Sequence, residues 1–196
     1  MFGTHLLEVV LRGILGKINL SGEKSQMEFI TKSPQQTRKL VRQFAEKIIK
    51  RKPGVKALVI GLLGDLGGGK TTFLQGFAKG LGVKEKIVSP TFVIIKRFQF
   101  NNLTTKQFNN FFHVDCYRVQ KPKELLGLGL KKIISNPKNI IAIEWANRIK
   151  KILPPKILIL NFSFIDKNKR KIFIINRRIY KSQNFAKQNF GGTQVP

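Results

Sequence analysis

Eight consecutive residues, Gly64-Asp65-Leu66-Gly67-Gly68-Gly69-Lys70-Thr71, follow the spacing G-x-x-x-x-G-K-[ST]. Each residue type in that pattern answers a need of phosphate chemistry. Gly64, Gly67, Gly68 and Gly69 let the backbone curl so that successive N–H groups face one anion, a concavity that Cβ atoms would obstruct. Lys70 brings a mobile point charge to the outer phosphates, and the Thr71 hydroxyl is a hard oxygen ligand of the kind magnesium prefers. The segment predicts a site for a nucleoside triphosphate and Mg2+, bounded by Gly64 to Thr71 and the following Thr72.

That chemistry needs a strand before the loop and a helix after it. The run Ala57-Leu58-Val59-Ile60-Gly61-Leu62-Leu63 is short, apolar and preceded by the breaker pair Pro53-Gly54, which predicts a buried strand. From Thr71 to Leu81, Phe73, Leu74, Phe77, Ala78 and Leu81 recur at helical spacing, and Gly82 stands where a helix C-terminal glycine belongs. Its N-terminus adds a positive dipole end to the phosphate cradle. Upstream, Ser33 as N-cap, Pro34 as first helical residue and Gln36 as capping-box partner open a second helix, whose face Leu40, Val41, Phe44, Ala45, Ile48 and Ile49 covers the sheet. Downstream, Ser89-Pro90-Thr91 is a turn, and Phe92 to Ile95, Phe111 to Asp115 and Ile140 to Ile143 read as strands, with a polar loop from Asn101 to Asn110. Helical residues lie around Pro122 to Ser135. Ile157 to Phe164 and Lys171 to Ile175 form a closing hairpin about Asp166-Lys167-Asn168.

With 37 Lys and Arg against 10 Asp and Glu, the net charge is +27. Such a field attracts nucleic acid and acidic partners, but the accompanying abundance of Lys, Asn, Ile and Phe also matches the drift of an AT-rich genome. The basic residues are dispersed, with no K/R-rich block. Cys116 is the single cysteine, so no intramolecular disulfide forms, which fits a cytoplasmic location. No apolar stretch reaches transmembrane length. Because acids are so scarce, Asp115 and Glu144 stand out: each closes an apolar strand. A carboxylate there lies at the C-terminal edge of the sheet, beside the phosphate loop, where it can hold magnesium or its waters.

Four segments in order, Gly64 to Thr72, Ser89-Pro90-Thr91-Phe92, His113-Val114-Asp115-Cys116-Tyr117-Arg118 and Ile143-Glu144-Trp145, resemble the bacterial TsaE (YjeE) family. The likeness spans about residues 28 to 165 and includes Glu124-Leu125-Leu126-Gly127-Leu128-Gly129. It implies an ATPase subunit of tRNA threonylcarbamoyladenosine biosynthesis, working with TsaB- and TsaD-like partners that modify the adenosine beside the anticodon. It further implies that Lys70 binds the phosphates, Thr71 and Glu144 hold magnesium, Thr91 sits in a switch-like loop and Asp115 is needed for hydrolysis. The chain departs from the family in carrying Ala146-Asn147 where Pro-Glu is usual, and Cys116 where Leu or Thr is usual. His113 reads as a packed strand residue; Trp145 reads equally as a core or rim aromatic and as a contact to nucleotide or partner. Tyr117 and Arg118 suit a structural or partner-binding role, with an arginine finger supplying transition-state charge as the alternative for Arg118.

The fold class expected is α/β, a three-layer P-loop NTPase-like fold with a central mixed sheet. The organisation expected is an N-terminal extension at residues 1–26, upstream of a natural start at Met27 or alternatively a membrane-surface or partner-docking helix, an ATPase domain at residues 27–180, and a disordered tail at residues 181–196. The competing function is a small P-loop kinase acting on a metabolite, though no arginine-rich lid segment is evident. A GTP switch lacks its Asn-Lys-x-Asp element, and an ABC-type ATPase lacks Ser-Gly-Gly-Gln. With no RNA-reading motif, contact with tRNA is expected to be indirect or nonspecific.

Overall fold

The computed structural model describes residues 27–88, 94–100 and 107–176. The N-terminal extension, Thr91 with its switch-like loop and the C-terminal tail lie outside the described residues. The elements run β1 (Met27–Thr31), α1 (Pro34–Ile48), β2 (Leu58–Leu63), α2 (Lys70–Gly80), β3 (Ile95–Gln99), β4 (Asn110–Asp115), α3 (Lys123–Gly127), α4 (Leu130–Ser135), β5 (Asn139–Glu144), a short 3-10 helix (Ala146–Ile149), β6 (Leu158–Phe164) and β7 (Arg170–Asn176).

The strands form one mixed sheet in the order β1-β7-β6-β2-β5-β4-β3. Its centre, β6-β2-β5-β4, is parallel, while β3, β7 and β1 join antiparallel. The central strands are apolar almost throughout because both faces are covered. One face packs Ile60, Leu62, Phe111, Ile140 and Leu160 with Phe44, Phe73 and Phe77 of α1 and α2. The other packs Val59, Leu63, Val114, Ile141 and Ile143 with Leu125, Leu130 and Ile149. This is the three-layer architecture expected.

Helix α1 begins as its sequence predicts, with the Gln36 N–H donating to Ser33 Oγ at 3.1 Å. The Gln36 side chain accepts from the N–H of Lys32 at 2.6 Å, one residue before the cap, rather than from Ser33 itself. Its buried face includes Val41, Phe44 and Ile48, where full burial of each side chain is worth about 1.5–3 kcal/mol as an upper bound. Helices α1 and α2 meet at Gly76 and Gly80, where an added Cβ would run into the α1 backbone at Arg38 and Arg42. Helix α2 is thereby held against α1 with its N-terminus at the phosphate loop. At its other end Gly82 is left-handed, with φ 82°, as a terminating glycine should be.

Three elements differ from expectation. Of the strand predicted at Phe92 to Ile95, Phe92 and Val93 lie outside the described residues, and the strand described runs from Ile95 to Gln99: among the described residues it is an edge strand paired only with β4, and an edge tolerates the polar Lys96, Arg97 and Gln99 that an apolar-run criterion rejects. Strand β1 was not anticipated, because from Glu28 to Thr31 buried Phe29 and Thr31 alternate with exposed Glu28 and Ile30 rather than forming an apolar run. The helical stretch around Pro122 to Ser135 is two short helices, broken where Gly129 adopts φ 80°.

Candidate active site

The phosphate loop leaves the end of β2 and returns into α2 through three left-handed glycines, Gly64 at φ 117°, Gly67 at φ 72° and Gly69 at φ 104°. A Cβ on Gly64 would collide with the Phe162 carbonyl of β6, so Gly64 is required for close packing against the neighbouring strand. Asp65 acts through its backbone: its carbonyl accepts from the N–H of Gly68 at 3.1 Å and from Lys70. Leu66, Gly67, Gly68, Gly69, Lys70, Thr71 and Thr72 line one wall of a cavity of about 540 Å3. Gly64 and Asp65 shape that wall from behind it.

Lys70 is buried, and its ammonium donates to the carbonyls of Gly64 and Asp65, each at 2.7 Å. It also lies 4.3 Å from the centre of the Trp145 ring. Burial pushes the Lys70 pKa down, while Glu144, Asp65 and Asp115 oppose that shift. The cation is therefore partly desolvated within reach of three acids, an arrangement suited to receiving an anion.

The opposite wall comes from β4 and β5. These strands pair in parallel with Asp115 beside Glu144 and His113 beside Ala142. Side chains alternate along a strand, so Phe111, His113 and Asp115 share a face with Ile140, Ala142 and Glu144, the face on which α2 packs. Both carboxylates consequently line the phosphate-loop cavity, as sequence reasoning required. Their surroundings differ. Glu144 is buried and its Oε1 lies 2.9 Å from Nε2 of the equally buried His113. An ionised carboxylate can only accept, so that ring nitrogen carries the hydrogen. Asp115 is half-buried, and its Oδ1 accepts from the N–H of Tyr117 at 2.9 Å, which fixes the carboxylate in an Asx turn.

His113 is thus the packed strand residue expected and also the partner that orients Glu144, a role its position on an apolar strand did not signal. Trp145 is the one non-glycine residue of positive φ among the described residues, at 57°. That conformation costs about 1–3 kcal/mol and is held where β5 turns into the 3-10 helix. It sets the indole over Lys70, with the Tyr117 ring at 5.2 Å and the Arg148 guanidinium 5.9 Å beyond Tyr117. Tyr117 and Arg118 also line the cavity, as does Ile94.

A further residue, Arg170 at the start of β7, reaches the loop from the far side: its Nε donates to the Gly67 carbonyl at 3.1 Å across a separation of 103 residues. Nothing in the sequence distinguishes this arginine from the other basic residues. Among the described residues no group of three or more His, Cys, Asp or Glu is placed to hold a metal. No helix among them is long and apolar enough to cross a membrane.

The chain is similar to several known proteins of one family. The family described as threonylcarbamoyl adenosine biosynthesis protein TsaE matches residues 31–172. A Rickettsia conorii protein named tRNA threonylcarbamoyladenosine biosynthesis protein TsaE is 33% identical over 159 residues, covering 81% of this chain and 83% of that protein. A Bacillus subtilis protein of the same name is 38% identical over 136 residues, covering 68% of this chain and 75% of its own length. The crystal structure of Bacillus subtilis YdiB superposes with a TM-score of 0.58 at 30% identity, covering 80% of this chain and 88% of that one. A family match across almost all the described residues, relatives of this similarity and a shared fold lead to one assignment: the chain belongs to the TsaE family.

Proposed function

We propose that this protein hydrolyses ATP with Mg2+ and in doing so supports threonylcarbamoyl transfer to adenosine in tRNA, in concert with TsaB- and TsaD-like proteins. The observation that carries the reading is a shared cavity faced by the glycine loop with Lys70 on one side and by Asp115 and Glu144 on the other. Its volume of about 540 Å3 is of the size that holds a small ligand.

The donor set fits magnesium. Thr71 and Glu144 offer hard oxygen atoms, the ligand type magnesium prefers, and these two residues would hold the ion. When bound, the ion would neutralise charge on the outer phosphates. Lys70 exchanges its carbonyl partners for phosphate oxygens. The inward N–H groups of the loop and the first turn of α2 orient the anion. His113 keeps the Glu144 carboxylate aimed into the cavity. Asp115, more open to solvent and pinned by the Tyr117 N–H, holds the attacking water. Thr91 remains a proposed member of the site through its switch-like loop. The absence of a membrane-length helix among the described residues and the single cysteine support a cytoplasmic place of action.

The test is ATP turnover by the purified chain alone and with its two partner proteins and tRNA. Magnesium-dependent turnover that responds to the partners is expected. Turnover indifferent to them but stimulated by a small metabolite would favour the kinase alternative. The chain by itself is expected to bind tRNA weakly and without preference, losing roughly three to five orders of magnitude in affinity from about 50 to about 200 mM salt if six to ten phosphates are contacted. Tight, salt-resistant binding of the cognate tRNA alone would make it a recognition subunit.

A further inference from the structure

We propose that Arg170 is a positioning residue that straps the β6–β7 hairpin to the phosphate loop and keeps the loop in its anion-receptive shape; the proposal builds on the nucleotide-site reading above. Besides donating to Gly67, the guanidinium donates through Nη1 to the carbonyls of Asp166 at 2.7 Å and Lys169 at 2.9 Å, with Lys167 farther off at 3.5 Å. It also stacks on the exposed Phe164 ring, 4.6 Å from its centre. Its aliphatic stem lies against Gly69, close enough that a Cβ there would sit 3.5 Å from Arg170 Cγ. One side chain therefore bridges Gly67 and Gly69, the two left-handed glycines flanking buried Gly68.

The consequence follows from peptide planarity. The carbonyl of Gly67 and the N–H of Gly68 belong to one rigid unit and point in opposite directions. Arg170 holds the carbonyl from one side of the plane while the Asp65 carbonyl holds that N–H from the other. Without Arg170 only the Gly68 N–H bond to Asp65 restrains this plane in a glycine-rich loop, and a turned plane would present an oxygen to the phosphates. The anchor at the hairpin end is itself rigid. The Asp166 carboxylate accepts from the N–H groups of Asn168 and Lys169 and pairs with the Lys169 ammonium, which brings its pKa down to about 2. Only arginine supplies the fork this geometry uses: a lysine keeps the charge but reaches as a single point. None of the four carbonyl acceptors is ionised, so the cation also adds to the field around the loop.

Hydrogen exchange of the nucleotide-free protein tests the strap directly. In Arg170→Ala, amides of the 64–72 segment are expected to exchange about tenfold faster while those of β6 keep their protection, the scale of one lost hydrogen bond to a charged donor. The KM for Mg-ATP should rise about tenfold with kcat little changed, since the loop binds rather than reacts. Arg170→Lys should recover only part of the affinity and little of the loop protection. Unchanged loop exchange in Arg170→Ala, or complete rescue of both readouts by Arg170→Lys, overturns the proposal. If the wild-type protein binds no Mg-ATP, the nucleotide-site reading fails, yet exchange still decides whether Arg170 fixes the loop.

Discussion

The same substitution, glycine to alanine at the last residue of a helix, should have opposite effects at two places in this protein. At Gly80, which ends α2, a Cβ would fall inside contact distance of the Arg42 carbonyl oxygen, 2.7 Å from Ala45 Cβ and 2.9 Å from Arg42 Cα. Ordinary contact begins near 3.4 Å, so α1 must retreat by roughly 1 Å to relieve the closest of these contacts, and because two of the three atoms are backbone no side-chain rotation relieves it. Overpacking of this kind costs about 1–3 kcal/mol, here toward the upper end; alanine's helix propensity returns at most about 1 kcal/mol, and less at a helix end. The net loss is about 2 kcal/mol, or roughly 4–8 °C in Tm for a chain of this size. Gly127, which ends α3, has nothing within 4 Å of an added Cβ, so Gly127→Ala should gain about 0.5–1 kcal/mol from helix propensity and a less flexible unfolded chain. Thermal and urea denaturation of both variants supply the comparison. Since α2 carries Lys70 and Thr71 at its other end, Gly80→Ala should also weaken nucleotide binding. A Tm for Gly80→Ala equal to or above wild type would refute the argument that α1 and α2 are locked at this glycine.

Three more outcomes are expected. Lys70→Met, which keeps an unbranched chain of similar length, should abolish Mg-ATP hydrolysis while far-UV circular dichroism shows the native fold; wild-type turnover would remove Lys70 from the site. Glu144→Ala should chiefly weaken magnesium-nucleotide binding, whereas Asp115→Ala should keep much of the binding and lose hydrolysis; equal losses of nucleotide affinity in equilibrium titrations would show the two roles wrongly divided. Cys116 is buried, and desolvation reinforced by Asp115 pushes its thiol up from 9.0 to about 12. A raised thiol pKa contributes stability that is fully present below pH 9 and is lost as pH climbs through about 12. Denaturation across that window should therefore show an alkaline decline that is smaller in Cys116→Ala, and the native thiol should resist alkylation at pH 8; rapid labelling without unfolding would contradict its burial.

Much of the candidate site was legible in the sequence because the glycine-rich loop is local. Gly64 to Thr71 are contiguous, their glycines answer to backbone geometry, and the flanking strand and helix declare themselves by period. The cap at Ser33, the stop at Gly82 and the hairpin turn at Asp166 are local for the same reason. Asp115 and Glu144 were each visible as an acid closing an apolar strand. What sequence could not supply was register: only parallel pairing of β4 with β5 sets Asp115 beside Glu144, and only the two-residue alternation within that register turns His113 toward Glu144 rather than into the opposite layer. Edge strand β1 escaped notice and β3 was bounded wrongly because an edge need not be apolar; its identity is a property of the neighbours it lacks. Arg170 is the extreme case, since its meaning lies in a bond to Gly67 across 103 residues. Chain-local chemistry is thus written in residue type and spacing, whereas the orientation of a carboxylate or a peptide plane depends on which distant backbone folding brings alongside.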